Sequence, residues 1–176
     1  MLKYPIYNKM TMKSEIAIRK SIRNWVMFFI VALALSGLTA FALETELAWL
    51  DHIFSKRPSS LSFWINKVYL ALQDTNRKYP FLAYGYDWLA FAHLVIAIAF
   101  FGVLKDPLRN IWIIQFGRIA CCLIFPLAFI AGYARGIPFY WQLVDCSFGV
   151  ICLIPLTIVF HKIEKLETII HPHHPV

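Results

Sequence analysis

The chain has 176 residues, of which 60% are hydrophobic and only 15% carry the charged side chains of Asp, Glu, Lys or Arg. A soluble domain is typically about half apolar and about a quarter charged, whereas the mean hydropathy here is +0.62, so the composition indicates an integral membrane protein. The net charge of +7 therefore bears on membrane topology, and no nucleic-acid partner is expected.

Apolar runs long enough to cross about 30 Å of hydrocarbon predict four transmembrane helices. The predicted spans cover residues 25–43, 88–104, 111–133 and 138–160. Backbone groups in lipid must be hydrogen-bonded internally, so helices are expected in place of open strands. The predicted fold is all-α: an integral membrane four-helix bundle over residues 25–160, with an additional amphipathic helix in the long external loop 44–87.

The N-terminal segment 1–24 carries six basic residues before the first span. The turn after the second span and the C-terminal tail 161–176 add four more, which gives ten basic against four acidic residues on one side. The external loop has five of each. Because basic residues concentrate in cytoplasmic loops, both termini are predicted to be cytoplasmic, in the plasma (inner) membrane.

A competing interpretation concerns Ala40–Ala42, whose sequence "AFA" after an apolar run resembles a signal-peptide cleavage site. The basic region before this run is long for a signal peptide. An uncleaved first span is therefore the favoured prediction.

The external loop contains its own helical patterns. In "LETELAWLDHIF", apolar residues recur at helical spacing, and either Ser59 or Ser60 can cap a following helix "LSFWINKVYLALQ". The apolar stripe of this second helix consists of Leu61, Trp64, Ile65, Val68 and Leu72. Such a helix is expected to lie along the outer interface or to cover the bundle.

No cofactor or metal site is expected from the sequence. The four cysteines, Cys121, Cys122, Cys146 and Cys152, lie in apolar runs without a CxxC pair and are predicted to be small packing residues. No glycine-rich phosphate loop or His-Glu-x-x-His pattern occurs. The terminal "HPHHPV" is expected to be a disordered end, with weak metal binding as the alternative.

Three ionisable residues lie inside the predicted spans: His93, Arg118 and Asp145. Each costs about 2.5–3.5 kcal/mol on insertion scales, so each calls for a reason. At about 1.5 Å per residue, His93 and Asp145 both lie roughly 8–11 Å below the outer boundary. Arg118 lies nearer the inner side, so an ion pair with Asp145 is possible only if the kink at Pro126 shifts the register.

These positions suggest an outward-opening polar pocket with His93 and Asp145 in its walls and Arg118 at its floor. The predicted ligand-binding set is completed by residues at the mouth, at the aromatic rim and on the small-residue face of the fourth span: Glu44, Glu46, Asp87, Arg135, Trp141 and Gly149. Gly149 is expected to let either a neighbouring helix or a ligand approach closely. The competing interpretation is that these groups only satisfy one another as packing and topology devices.

Two functions follow from this pattern. The favoured one is a small polytopic membrane protein that binds a hydrophobic or amphipathic ligand, such as a membrane lipid, or a partner membrane subunit. The alternative is a membrane-embedded isomerase, transferase or hydrolase that uses His93 and Asp145 as an acid–base pair on a lipid-like substrate. Whether the chain is an enzyme is left open by the sequence.

Overall fold

The computed structural model describes residues 4–171, with side chains described from Met12 onward. Regular structure in this range is helical, and no strand occurs among the described residues. The helices are α1 (Tyr4–Ala40), α2 (Leu43–Phe54), α3 (Ser60–Lys78), α4 (Tyr84–Ala99), α5 (Phe101–Lys105), α6 (Ile111–Ala134) and α7 (Phe139–Ile170). A short 3-10 turn, Pro80–Ala83, precedes α4.

Among the described residues, four stretches are long and apolar enough to cross a membrane: Met12–Ala40, Pro80–Lys105, Ile111–Ala134 and Phe139–Ile170. In the most apolar window of each stretch only 22–28% of the residues are buried. Large apolar side chains such as Phe28, Leu127 and Phe148 face outward. Water-soluble proteins rarely expose apolar patches of this extent, whereas lipid solvates them. The prediction of an all-helical chain with four helices able to span a membrane is therefore confirmed.

Two helices are longer than the predicted spans. Helix α1 includes most of the basic N-terminal segment, and α7 continues ten residues past Phe160. The extension of α7 keeps an inward stripe, because Ile163 and Leu166 are fully buried. Residues 161–170 of the predicted tail are thus helical, whereas residues 172–176 lie outside the described part of the chain.

The chain divides into two compact units. The first comprises residues up to Ile30 together with those from Ile98 onward, and the second comprises Val31–Ala97. In the first unit, α6 and α7 form an antiparallel pair joined by a tight turn. Gly136, with φ of +66°, ends α6, while Ile137 N–H donates to the carbonyl of Gly132 at 2.9 Å. This Schellman arrangement requires a left-handed residue, which glycine adopts without strain.

Glycines allow α6 and α7 to approach closely. A Cβ added at Gly149 would lie 2.9 Å from the carbonyl oxygen of Cys121, and one at Gly117 would lie 3.0 Å from Leu156 and from Phe100. Phe100 also contacts Phe29 of α1, with ring centroids 4.6 Å apart. The core of the first unit therefore rests on small residues that admit backbone or bulky side chains from their neighbours.

In the second unit, α3 packs on α2. Ser59 is the N-cap of α3, because its side chain accepts the Ser62 N–H at 3.1 Å while Ser62 Oγ accepts the Ser59 N–H at 2.9 Å. Asn66 Nδ2 of α3 donates to Asp51 Oδ1 of α2 at 3.1 Å. The five residues of the predicted apolar stripe are buried or half-buried, whereas Phe63 on the opposite face is 74% exposed.

The end of α1 crosses α4 at Gly37. A Cβ at this glycine would lie 2.8 Å from the carbonyl oxygen of Ala90 and 3.0 Å from the Cβ of His93. Ala90 is completely buried in this contact region. The close approach of the two helices therefore occurs at the level of the histidine in α4.

Candidate functional site

His93 lies on the inward side of α4, half-buried, and its ring is held by its own helix. Nδ1 lies 2.7 Å from the carbonyl oxygen of Leu89, one turn earlier. A carbonyl can only accept, so Nδ1 carries the proton in this bond. If the imidazole is neutral, Nε2 then holds the lone pair and is the atom able to accept a proton or a ligand N–H.

Asp145 is half-buried on α7 in the first unit, four residues before the close contact of Gly149 with α6. Its carboxyl group makes no hydrogen bond or ion pair with the residues described by the structure. His93 belongs to the second unit, so the structure describes the two residues of the predicted acid–base pair separately. Their joint action stays a prediction.

Arg118 of α6 contacts an aromatic ring. Its guanidinium carbon lies 4.3 Å from the centroid of Phe160, which follows Asp145 in α7. Fifteen residues of α7 separate these positions, which corresponds to about 22 Å along the axis. Arg118 Nε is buried without a hydrogen-bond partner among the described residues. The possible ion pair between Arg118 and Asp145 does not form, because Arg118 packs on Phe160, about 22 Å from Asp145 along the axis of α7.

Glu44, a predicted site residue at the start of α2, belongs to a hydrogen-bond network. Its Oε2 accepts from Asn76 Nδ2 at 2.7 Å, and Asn76 Oδ1 accepts from the hydroxyl of Tyr86 at 3.2 Å. This chain of hydrogen bonds, the Glu44–Asn76–Tyr86 network, joins three helices of the second unit. All three side chains are half-buried, so their positions are fixed by packing as well as by bonding.

An open cleft of about 710 Å³ adjoins this network. Its lining comprises Glu44, Leu70, Gln73, Asp74, Asn76 and Arg77. The Lys78 ammonium donates to Asp74 at 2.8 Å, and this hydrogen bond holds the pKa of Asp74 below its usual range. The Asp74 carboxylate is consequently an acceptor at neutral pH, and Arg77 supplies a positive charge beside it.

Asp87, in the first turn of α4, faces a different cavity. This space of about 320 Å³ is otherwise walled by four aromatic side chains: Phe41, Tyr84, Trp88 and Phe91. Trp88 contacts both Tyr84 and Phe91 edge to face, with centroids 5.8 and 6.0 Å apart. One carboxylate among aromatic walls suits an amphipathic or cationic group.

The remaining predicted site residues are Glu46, Arg135, Trp141 and Gly149. Glu46 is half-exposed on α2, Arg135 is exposed in the turn after α6, and Trp141 is half-buried in the first turn of α7. At Gly149, where either a neighbouring helix or a ligand was expected, the backbone of α6 approaches closely. A role of Gly149 in ligand binding stays a prediction.

Three polar residues with defined partners were not among the site residues predicted from the sequence: Asn76, Tyr86 and Gln142. Gln142 is 6% exposed, donates through Nε2 to the carbonyl of Ile137 at 2.8 Å and fills the space left by Gly132. A polar residue within four positions of a span terminus is a signal that could have identified Gln142. No local sequence pattern indicated Asn76, because its partner Glu44 lies 32 residues away in the chain.

The four cysteines, predicted to be small packing residues, are free thiols: Cys121 and Cys146 are buried, Cys152 is half-buried and Cys122 is exposed. Among the residues for which side chains are described, no group of three or more His, Cys, Asp or Glu side chains could hold a metal ion. The tail residues His173 and His174 lie outside the described range.

Comparison with models of protein families, with curated proteins and with solved structures finds no match to this chain.

Proposed function

We propose that this protein binds an amphipathic small molecule of the membrane, with the polar head in the cleft beside Glu44. The observation that carries this proposal is the Glu44–Asn76–Tyr86 network, which presents a fixed carboxylate to a cleft of ligand size. Gln73, Asp74 and Arg77 add acceptors, donors and one positive charge. A head group with hydrogen-bond donors, such as an amine or a hydroxylated ring, suits this lining.

The apolar part of the ligand has a matching surface at the start of α4. Tyr86 and Asp87 are neighbours in the chain, and Asp87 opens onto the aromatic cavity. A ligand extending from the cleft to this cavity would bury its apolar part against Trp88 and Phe91. His93 lies seven residues after Tyr86 on the same face of α4, about 10 Å further along the axis. Its Nε2 could bond a second polar group of a longer ligand.

The proposal includes a topology with both termini in the cytoplasm of a cell bounded by a plasma (inner) membrane. Four spans place the termini on one side, and the ten basic residues on that side support its cytoplasmic assignment. A membrane-impermeant maleimide tests it on intact cells, in a background where the four cysteines are replaced. Ser55→Cys is expected to react from outside and Lys13→Cys only after permeabilisation. The reverse pattern contradicts this topology.

Helices α2 and α3 are proposed to lie along the outer interface. Large apolar side chains on both helices point away from their mutual contact: Trp49 is 66% exposed and Phe63 is 74% exposed. Such residues bury their apolar surface at the head-group level of a bilayer. This location would bring the cleft to the depth at which an amphipathic molecule enters from the lipid. That the four spans form one bundle stays a prediction.

The test of ligand binding compares amphiphiles that co-purify with the protein, quantified by mass spectrometry of organic extracts. Glu44→Gln removes the charge of the network, and Asp51→Asn is the matched control because Asp51 also accepts from an asparagine of α3. We expect wild type and Asp51→Asn to carry the same species, and Glu44→Gln to lose about tenfold or more of it. Equal extracts from all three proteins would show that the cleft does not hold the ligand.

A partner membrane subunit is the other binding partner that the sequence predicts. Native mass spectrometry of the same preparations distinguishes the two, because a subunit adds the mass of a polypeptide whereas a small molecule does not.

The enzymatic alternative is favoured by one observation, the Nδ1 bond of His93 that leaves Nε2 as a possible base. Asp145 enters it only as an expectation from the sequence. Lipid profiles of cells expressing wild type, His93→Gln and Asp145→Asn test this alternative. A product lost in both variants would support it, and an unchanged profile in either variant would contradict a shared acid–base role.

A further inference from the structure

Four basic side chains surround a cavity in the first unit. Arg19, Lys20 and Arg23 come from α1, and Lys105 is the last residue of α5; we term these four residues the basic cluster. The cavity has a volume of about 260 Å³. Its apolar part includes Ile22 and Val103, which are 2% and 0% exposed. The fold thus brings cations from two distant parts of the chain around one shallow site with a rigid apolar floor.

The cluster has more positive than negative charge. Arg19 donates through Nε to Glu15 at 2.8 Å, whereas the other three cations have no ion pair among the residues that the structure describes. The side chain of Asp106, next to the cluster, accepts the backbone N–H of Arg109 at 3.1 Å. Like charges around one cavity repel one another, and an anion bound between them would offset this repulsion.

The cavity lies near the ends of two apolar runs. The apolar run of α1 starts at Trp25, two residues after Arg23, and Lys105 closes the stretch Pro80–Lys105. Phe28 and Phe101, one turn inside the cluster, are 57% and 46% exposed. A ligand with an anionic head among the cations would therefore find exposed apolar side chains on its membrane side.

We propose that the basic cluster binds the phosphate-bearing head group of an anionic phospholipid, with the acyl chains remaining in the bilayer beside α1 and α5. The cavity volume suits a head group alone, because sites that enclose a whole small molecule measure about 300–1,000 Å³ and this cavity is smaller. Basic pockets beside transmembrane helices are suited to such head groups. The site is independent of the cleft at Glu44, so either proposal can fail without the other.

The test measures lipid binding to the purified full chain by native mass spectrometry. Phosphatidylglycerol and phosphatidylcholine are the lipid probes, and glycerol phosphate and inorganic phosphate are the soluble ones. The cluster variant combines Lys20→Gln, Arg23→Gln and Lys105→Gln. The matched control removes the same charge elsewhere, through Lys13→Gln, Lys162→Gln and Lys165→Gln. A second variant, Glu15→Gln, removes the carboxylate that competes for Arg19.

We expect wild type and the control to prefer phosphatidylglycerol over phosphatidylcholine, the cluster variant to lose about tenfold or more of this preference, and Glu15→Gln to bind about twofold more tightly. Equal losses in the cluster variant and the control would overturn the proposal, because only general surface charge would then act. Binding of glycerol phosphate or inorganic phosphate as tight as that of the lipid would also overturn it in favour of a soluble phosphate.

Discussion

Replacement of Gly149 by alanine tests the contact between α6 and α7. The added Cβ would lie 2.9 Å from the carbonyl oxygen of Cys121, whereas ordinary contact begins near 3.4 Å. The obstacle is backbone in the middle of a helix, so relief requires a movement of about 0.5 Å by one helix as a whole. Overpacking of this kind costs about 1–3 kcal/mol, and the higher helix propensity of alanine returns about 0.5–1 kcal/mol. We therefore expect a net loss of about 1 kcal/mol, with an upper limit of about 2.5 kcal/mol.

Two other glycines provide the controls. A Cβ at Gly85 meets nothing within 4 Å, so Gly85→Ala is expected to be neutral or to stabilise by a few tenths of a kcal/mol. At Gly117 the added Cβ meets side-chain atoms of Leu156 and Phe100 at 3.0 Å. These can adjust, so Gly117→Ala should cost less than Gly149→Ala.

The assay is unfolding in mixed micelles by titration with dodecyl sulfate, followed by far-ultraviolet circular dichroism. From the most to the least stable variant, the expected order is Gly85→Ala, Gly117→Ala and Gly149→Ala. If Gly149→Ala proves as stable as Gly85→Ala, the helices do not touch at this glycine and the packing argument fails.

Three further predictions use the same unfolding assay. Asn76→Ala leaves the half-buried Glu44 carboxylate without its donor and should cost about 1.5–3 kcal/mol, whereas Gln73→Ala on the exposed side of α3 should cost less than 0.5 kcal/mol; equal effects would contradict the importance of the network. Gly136→Ala places a Cβ at φ of +66° and should cost about 1–2 kcal/mol, and a neutral result would rule out the left-handed turn. Ser59→Ala removes the N-cap of α3 and should cost about 1 kcal/mol, and an unchanged stability would contradict this cap.

Local sequence patterns predicted the membrane-spanning helices and the start of α3. Long apolar runs predicted the four helices able to span a membrane, because only a helix of about 20 residues satisfies its backbone across hydrocarbon. That α3 is the amphipathic helix expected in the external loop, from apolar residues three and four apart, stays a prediction. The serine pair after Pro58 predicted the start of α3 to within one residue, and the structure identifies Ser59 as the cap.

Helix ends were predicted less well, because the charged extension of α7 does not look like a span. Residues 161–170 mix charged and apolar residues, and composition alone suggested a tail. Ile163 and Leu166 nevertheless continue the buried stripe of α7, so packing within the first unit extends the helix.

What the sequence alone determined is the membrane character of the chain and its segmentation into helices, since both depend on the hydrophobicity and spacing of neighbouring residues. Tertiary structure decided the partners of the polar groups and the role of each glycine. Arg118 lies over Phe160 and away from Asp145, and Glu44 bonds to Asn76, 32 residues along the chain. At Gly149, where the sequence left a neighbouring helix or a ligand open, the close neighbour is the backbone of α6. These contacts depend on the register and rotation of one helix against another, which no local pattern encodes.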